Sequence, residues 1–315
     1  MVLGNENMII VFGSNVLDLF FQQADLPPKD KALFIDNHVE APGGKGANQA
    51  IAAARAGSKV RFYGALGEGG HGRQMYKNLA KNNIDISGIR FFDMPSGLAT
   101  IFVDEKDGTH RIVVSQGANL MAKQDFVPDS DIDEDTILLV QGELAIEETE
   151  KLIKRVKEKG GKTVMNFAPA IQPLSEELLR NLNVLVLNEY EAEAVGNQYS
   201  MDVSDKKQLA KDLNDRFDLT TIITLGPDGA VTAAKGNVFE TPALKVKPID
   251  TVGAGDAFTG YICAALDRGE TIETAVYEAI IAGSITCTKI GAQTALPYKE
   301  DVIQTIKNGA KTQAL

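Results

Sequence analysis

PGGKGANQAIAAARAGSKVRFYGAL, residues 42–66, holds a complete supersecondary unit in one line. A glycine-rich turn leads into an alanine-rich run, 46–57, and Gly57 closes it as a helix C-cap. KVRFYGAL, 59–66, is then rich in strand-forming residues. Turn, helix and strand in that order predict one unit of an α/β fold. The lysine among the glycines raises a chemical question, because such a stretch can cradle phosphate. A Walker A loop requires G-x-x-x-x-G-K-[ST], whereas Val39 stands six residues before Lys45 and Gly46 follows it. The stretch is therefore not a P-loop. Gly43 to Gly46 still permit close backbone approach, and Lys45 and Asn48 carry donors that suit a polyhydroxyl ligand. The residues alone leave a second reading open, a glycine turn capping a helix with a solvated lysine.

Outward from this unit the pattern repeats. MIIVFG (8–13), ILLVQG (137–142), KTVMNF (162–167), VLVLNE (184–189) and TIITLG (221–226) are short continuous apolar runs. Helices are predicted over 72–83, 146–159, 175–182 and 204–215, then over 255–268, 272–289 and 299–308. Continuous apolar strands alternating with amphipathic helices predict a mainly parallel sheet covered on both faces, a three-layer α/β architecture. Two stretches break the rhythm, about 16–41 and 91–115. Within the second, 98–104 and 110–114 predict a hairpin turning through Glu105–Thr109. Insertions of this size at the carboxyl end of a sheet are expected as a lid or an oligomer contact, since ligands bind at that edge. Residues 1–315 are expected to form one domain carrying these insertions.

The chain has 32 basic and 43 acidic residues and a formal charge of −11. That field repels a polyanion, and no basic stripe offsets it, so nucleic acid is not expected as a partner. The N-terminal apolar run is too short for a signal core or a membrane span, and the cytoplasm is the expected compartment. Cys263 and Cys287 are expected as small core residues. His38, His71 and His110 are dispersed, which argues against a structural metal site. The acidic run DSDIDEDT, 129–136, is expected as a solvated loop.

DTVGAGDAFTGY, 250–261, is the second glycine stretch that bears on chemistry. Gly253-Ala254-Gly255 precedes Asp256 and an amphipathic helix. Small residues there let backbone N–H groups converge at a helix N-terminus, which favours an anion. The alternative is a tight turn with Asp256 as an ordinary N-cap. A carboxylate at an anion-binding terminus can also accept a proton from an attacking hydroxyl, as phosphoryl transfer requires.

Taken together, PGGKGANQA and DTVGAGDAFTG resemble the paired signatures of the ribokinase-type carbohydrate kinases. GSNVLD (13–18), QGE (141–143), NFAPA (166–170), NEYEAE (188–193), TLGPDG (224–229) and GAQTALP (291–297) follow in the family's order, so the resemblance spans nearly the whole chain. It implies a kinase transferring the γ-phosphate of ATP to the primary hydroxyl of a small sugar. D-ribose, giving ribose 5-phosphate, is favoured; another pentose, a ketose or a nucleoside is the alternative. It implies Asp256 as general base, with Gly253, Ala254 and Gly255 as the anion hole. Asp18, Gly44, Lys45, Asn48 and Glu143 would hold the sugar. Asn188, Thr224, Leu225, Gly226, Gly229 and Gly255 would bind ATP, and Glu191 would orient Mg²⁺ through water. Asp250, Val252, Thr286, Lys289, Gly291 and Ala295 would surround a monovalent cation such as K⁺. The two insertions would form a β-lid that clasps a second subunit in a homodimer. Val16 departs from the family at a place where some relatives carry a sugar-contacting Asn. Ala295 likewise stands where Ser is frequent.

Two other classes compete. GALGEGGHG (64–72) follows a strand and precedes a helix, as a Rossmann dehydrogenase requires, but its spacing is not G-x-G-x-x-G. A catalytically dead sugar or nucleotide sensor is opposed by Asp256 beside an intact Gly-Ala-Gly turn.

Overall fold

IIVF at Ile9–Phe12 is wholly apolar and wholly buried, and this strand, β1, is the one around which the sheet is organised. A computed structural model describes residues 8–23, 29–104 and 110–312. After β1 the chain leaves the main sheet for β2 (Val16–Gln23) and β3 (Val39–Gly43), then returns through α1 (Lys45–Arg55) and β4 (Val60–Gly67). α2 (Gly70–Lys81) and β5 (Asp85–Phe92) complete one edge, and β6 (Gly97–Asp104) and β7 (His110–Ser115) leave it again. Next come β8 (Ile137–Gln141), α3 (Ile146–Glu158), β9 (Lys162–Asn166), α4 (Glu176–Asn181) and β10 (Val184–Asn188). α5 (Glu189–Gln198), α6 (Lys206–Phe217) and β11 (Thr220–Thr224) continue the alternation. β12 (Ala230–Ala234) and β13 (Asn237–Thr241) then form an antiparallel edge, and α7 (Ala254–Asp267), α8 (Ile272–Thr286) and α9 (Lys299–Thr312) follow.

The main sheet has nine strands in the order β13-β12-β11-β10-β9-β8-β1-β4-β5, parallel from β11 to β5. Strand alternation sends Ile9 and Val11 to one face, where they pack with α1, α7 and α8. Ile10 and Phe12 go to the other, with α3, α4 and α6. Each fully buried aliphatic or Phe side chain contributes roughly 1.5–3 kcal/mol, so both faces of β1 are fixed by packing. The strand order runs in opposite directions on the two sides of β1. Its carboxyl end, beside that of β8, is thus a topological switch point where open α/β sheets bind ligands.

The smaller sheet has the order β3-β2-β6-β7, with β2 and β6 parallel and the other pairs antiparallel. The hairpin expected over 98–104 and 110–114 is β6 and β7, while its turn, Glu105–Thr109, lies outside the described residues. β2, β3 and β5 are strands without the continuous apolar signature of the core.

Four local expectations need correction. α7 begins at Ala254 with Gly253 as its N-cap in the left-handed region, so Asp256 is a first-turn residue and not the cap. α8 ends at Thr286, and the chain to Pro297 is a series of turns. The acidic run 129–136 is not merely solvated: Asp131 accepts from Arg61 and Tyr63, Asp129 pairs with Arg155, and Ile132 and Thr136 are buried. Cys263 is buried as expected, whereas Cys287 is partly exposed. Among the described residues no helix is long and apolar enough to cross a membrane.

Candidate active site

Gly44 caps α1 at φ 90°, a backbone that favours glycine, and this places Lys45 at the first helical position. The Lys45 backbone N–H donates to Glu143 Oε2 at 2.9 Å, and Ser14 Oγ donates to the same oxygen. Ala47 N–H donates to Ser14 O at 3.0 Å, so the start of α1 is bound to the carboxyl end of β1. The approach is closer than side chains permit: a Cβ on Gly46 would lie 2.6 Å from Gly13 Cα and 2.6 Å from Ser14 N. The Asp18 carboxylate lies against Gly43 on the neighbouring strand.

Lys45 is not a solvated cap. Burial works against its ammonium, but Asp256, Glu143, Glu191 and Asp18 surround it and together hold its pKa above the ordinary value. Burial raises Asp18 to about 7, with Glu143 and Asp256 adding repulsion and Lys45 opposing. Burial also lifts Glu143 and Glu191. The result is one partly buried cation facing four carboxylates, a polar cluster suited to several hydroxyl groups.

The first turn of α7 faces this cluster. Asp256 is 6% exposed and accepts from Asn48 Nδ2 at 2.8 Å and Gln49 Nε2 at 2.9 Å. The first intrahelical bond is Ala257 N–H to Gly253 O, which leaves the N–H groups of the preceding residues without helical acceptors. Ala254 N–H turns back to Thr251 O at 3.3 Å, so Gly253, Gly255 and Asp256 carry the donors available to a ligand. α7 reaches this position because it crosses α1 at Gly260, where a Cβ would lie 2.5 Å from Ala52 Cβ and 2.7 Å from Gln49 O.

A cleft of about 560 Å³ runs from Lys45 and Asp256 past Gly253 and Gly255 to Asn188, Glu191, Thr224 and Gly226. Asn188 and Glu191 form a reciprocal capping box at the start of α5, with Asn188 N–H donating to Glu191 Oε2 at 2.8 Å. This fixes the carboxylate at the cleft wall and leaves Oε1 for a ligand. Leu225 and Gly229 do not line the cleft: Leu225 N–H bonds to Gly229 O at 2.8 Å within the turn joining β11 to β12, and Leu225 packs into the core.

None of the six residues expected around a monovalent cation lines the cleft. Asp250 ties two of them together, its two oxygens accepting from Val252 N–H at 3.0 Å and Gly291 N–H at 2.8 Å. Thr286 O already accepts from Lys289 N–H at 3.2 Å, and Thr286 Oγ1 donates to Ala282 O. A carbonyl oxygen has a second lone pair, so this set remains compatible with a cation held chiefly by backbone oxygens.

Sequence reasoning passed over Ser14, Gln49, Gln141, Asn166 and Gln293. Gln141 Nε2 donates to Gln49 Oε1 at 2.9 Å, Gln49 Nε2 also donates to Asn166 Oδ1 at 2.9 Å, and Gln293 Nε2 donates to Asn48 Oδ1 at 2.9 Å. A signal did exist, since Gln141 is a polar residue closing an otherwise apolar strand, Asn166 ends β9 directly after Val164 and Met165, and Gln49 stands in an alanine-rich helix.

A carboxylate at a helix N-terminus, opposite a lysine-centred polar cluster, sets a proton acceptor between donors for an anion and partners for hydroxyl groups. The sequence model of the pfkB family carbohydrate kinases matches residues 6–299, and the chain belongs to that family. It is 34% identical to the ribokinase of Haemophilus influenzae over 275 residues, which is 86% of this chain and 89% of that protein. Its fold superimposes on ribokinase from Thermotoga maritima with a TM-score of 0.88 at 31% identity, covering 95% and 99% of the two chains. Ribokinase from Cryptococcus neoformans in complex with ADP gives 0.80 at 26% identity, covering 95% and 99%.

Proposed function

We propose that the protein transfers the γ-phosphoryl group of ATP to the primary hydroxyl of D-ribose, giving ribose 5-phosphate and ADP. The observation that carries this reading is the Asp256 carboxylate, held between the polar cluster of α1 and the unpaired N–H groups of α7. Asp18 and Glu143 accept from sugar hydroxyls, while Lys45 and Asn48 donate to others, with the backbone at Gly44 permitting close approach. Asp256 accepts the proton of the primary hydroxyl as its oxygen attacks phosphorus. The bond to the bridging oxygen breaks, and ADP leaves through the cleft lined by Asn188, Thr224 and Gly226. The N–H groups of Gly253, Gly255 and Asp256 stabilise the charge spread over the transferring group.

Glu191 suits a hydrated Mg²⁺, because the capping box fixes one carboxylate oxygen and leaves the other to accept from the cation's water. When bound, Mg²⁺ would neutralise charge on the β- and γ-phosphoryl oxygens. The Asp250 set would hold K⁺ and add positive charge beside the α7 N-terminus. The test is ADP release across D-ribose, deoxyribose, fructose and nucleosides, with and without K⁺. Turnover of D-ribose above the others is expected, and strong turnover of another acceptor without D-ribose activity would overturn the substrate assignment.

Asp18 adds a pH dependence. It must be ionised to accept hydroxyl protons, and its carboxyl titrates at about 7 in the free protein. The ratio kcat/KM for ribose is therefore expected to fall about tenfold per unit as pH drops below that value. The stability consequence has the opposite sense. A folded pKa above the unfolded 3.8 means that the native state binds the extra proton, so stability is lost as pH rises from about 4 to about 7. Asp18→Asn should raise Tm fully above pH 7 and hardly at all near pH 4, while weakening ribose use. An unchanged melting curve at pH 8 would contradict this.

The smaller sheet is proposed as the lid. Ile112, Val113 and Val114 on its edge strand β7 are 54%, 65% and 54% exposed, and Val39 on the opposite edge strand β3 is 63% exposed. Apolar residues facing both ways from an edge strand favour cover by a second copy. A dimer by light scattering is expected, converted to monomer by Val113→Asp; a monomeric parent would refute it.

A further inference from the structure

We propose that Gln49 is a positioning residue that fixes the reacting carboxylate of Asp256; this rests on the reading of Asp256 as the general base. Gln49 is fully buried, so it cannot touch sugar or nucleotide and must act through its neighbours. All its hydrogen-bonding groups are engaged. The two hydrogens on Nε2 go to Asp256 Oδ1 and Asn166 Oδ1, each at 2.9 Å, and Oε1 accepts from Gln141 Nε2 at 2.9 Å. Turning the amide over would set Oε1 against two oxygens and its NH₂ against the NH₂ of Gln141, so only one orientation is compatible with its surroundings.

The consequence falls on Asp256. A first-turn aspartate is free to swing its carboxylate toward the unpaired N–H groups of its own helix, away from a hydroxyl in the cleft. Gln49 opposes that movement at Oδ1 and Asn48 at Oδ2. The two anchors differ in kind. Asn48 belongs to the sugar-facing set, and its bond can be exchanged for a substrate contact. Gln49 is supported from behind by Gln141 and, being fully buried, has no substrate contact for which its bond to Asp256 could be exchanged. Preorganisation of this kind affects the chemical step because the geometry of the attacking hydroxyl is set by the base that receives its proton.

Two isosteric variants test the proposal. Gln49→Met keeps the length and removes both donors; it is expected to lower kcat by about 10- to 100-fold while KM for ATP stays within about twofold. Gln49→Glu replaces the donor with a second carboxyl group against Oδ1, and the two must share a proton. The acidic limb of its kcat profile is expected to move up by about one unit or more, with activity recovering toward high pH. A purely structural residue would produce no such recovery. If Gln49→Met does not fold, Gln141→Met removes the bond that fixes the Gln49 amide, and a several-fold loss in kcat with unchanged KM for ATP is expected. Parent-like kcat in the folded variants, loss only in step with the fraction unfolded, or an unmoved acidic limb in Gln49→Glu would overturn the proposal. Asp256→Asn, measured alongside, separates the two failures: full activity there removes the general base itself, whereas an inactive Asp256→Asn beside active Gln49 variants removes only the positioning role.

Discussion

Asp256→Asn is expected to turn over D-ribose about 10²- to 10⁴-fold more slowly than the parent while binding ATP with an unchanged Kd. The loss has two sources. The amide cannot take the proton of the attacking hydroxyl, and one of its two ends becomes an NH₂ group facing a donor. Asn48 Nδ2 and Gln49 Nε2 both now point at acceptor oxygens, so one of these bonds must be given up. ATP affinity is expected to be spared because the groups proposed to face phosphate at the start of α7 belong to the backbone. A strongly raised nucleophilicity is not required, since a loose phosphoryl-transfer transition state depends mainly on placement and charge stabilisation. Steady-state kinetics with calorimetric ATP titration checks both halves, and retained turnover would remove Asp256 from the mechanism.

Gly46→Ala is expected to cost about 1–3 kcal/mol of stability and to depress kcat/KM for ribose by about 10². The added methyl would meet main chain, Gly13 Cα and Ser14 N at 2.6 Å each, so no side chain can rotate away to admit it. α1 must move off β1, and α1 carries Lys45, Asn48 and Gln49 together. One small displacement therefore disturbs the proposed sugar cluster and both hydrogen-bond partners of Asp256. Urea unfolding and ribose kinetics on the same preparation are the check. Parent-like values in both would show that the contact between β1 and α1 is slack.

The parts of this molecule that were legible from the sequence are those specified by local pattern. Apolar runs such as IIVF and the ILLV of β8 mark strands buried on both faces, and the alanine run closed by Gly57 marks α1. β2 and β5 mix polar and apolar residues, because a strand in a small or edge position need not be apolar throughout, and so they carry no such mark. The two glycine stretches stand out in the sequence, but which groups they place together does not. Asp256 and Gln49 meet across 207 positions, and Asn48 and Gln293 across 245, distances that no local spacing encodes. The same limit accounts for Leu225 and Gly229. They share a motif with Thr224 and Gly226, yet the turn that joins β11 to β12 directs them into the core and the hairpin instead of the cleft. The acidic run 129–136 is a third instance, since the partners of Asp131 are Arg61 and Tyr63 on a distant strand.

Of the two glycine stretches, the first is proposed to hold sugar through Lys45 and the second to hold phosphate at the start of α7. A crystal structure of the protein with D-ribose and a non-hydrolysable ATP analogue tests this assignment directly. The terminal phosphate is predicted against the N–H groups of Gly255 and Asp256, with the ribose primary hydroxyl in hydrogen-bond contact with the Asp256 carboxylate and Lys45 on the sugar. A terminal phosphate bound at Gly43–Gly46, or a primary hydroxyl directed away from Asp256, would contradict it.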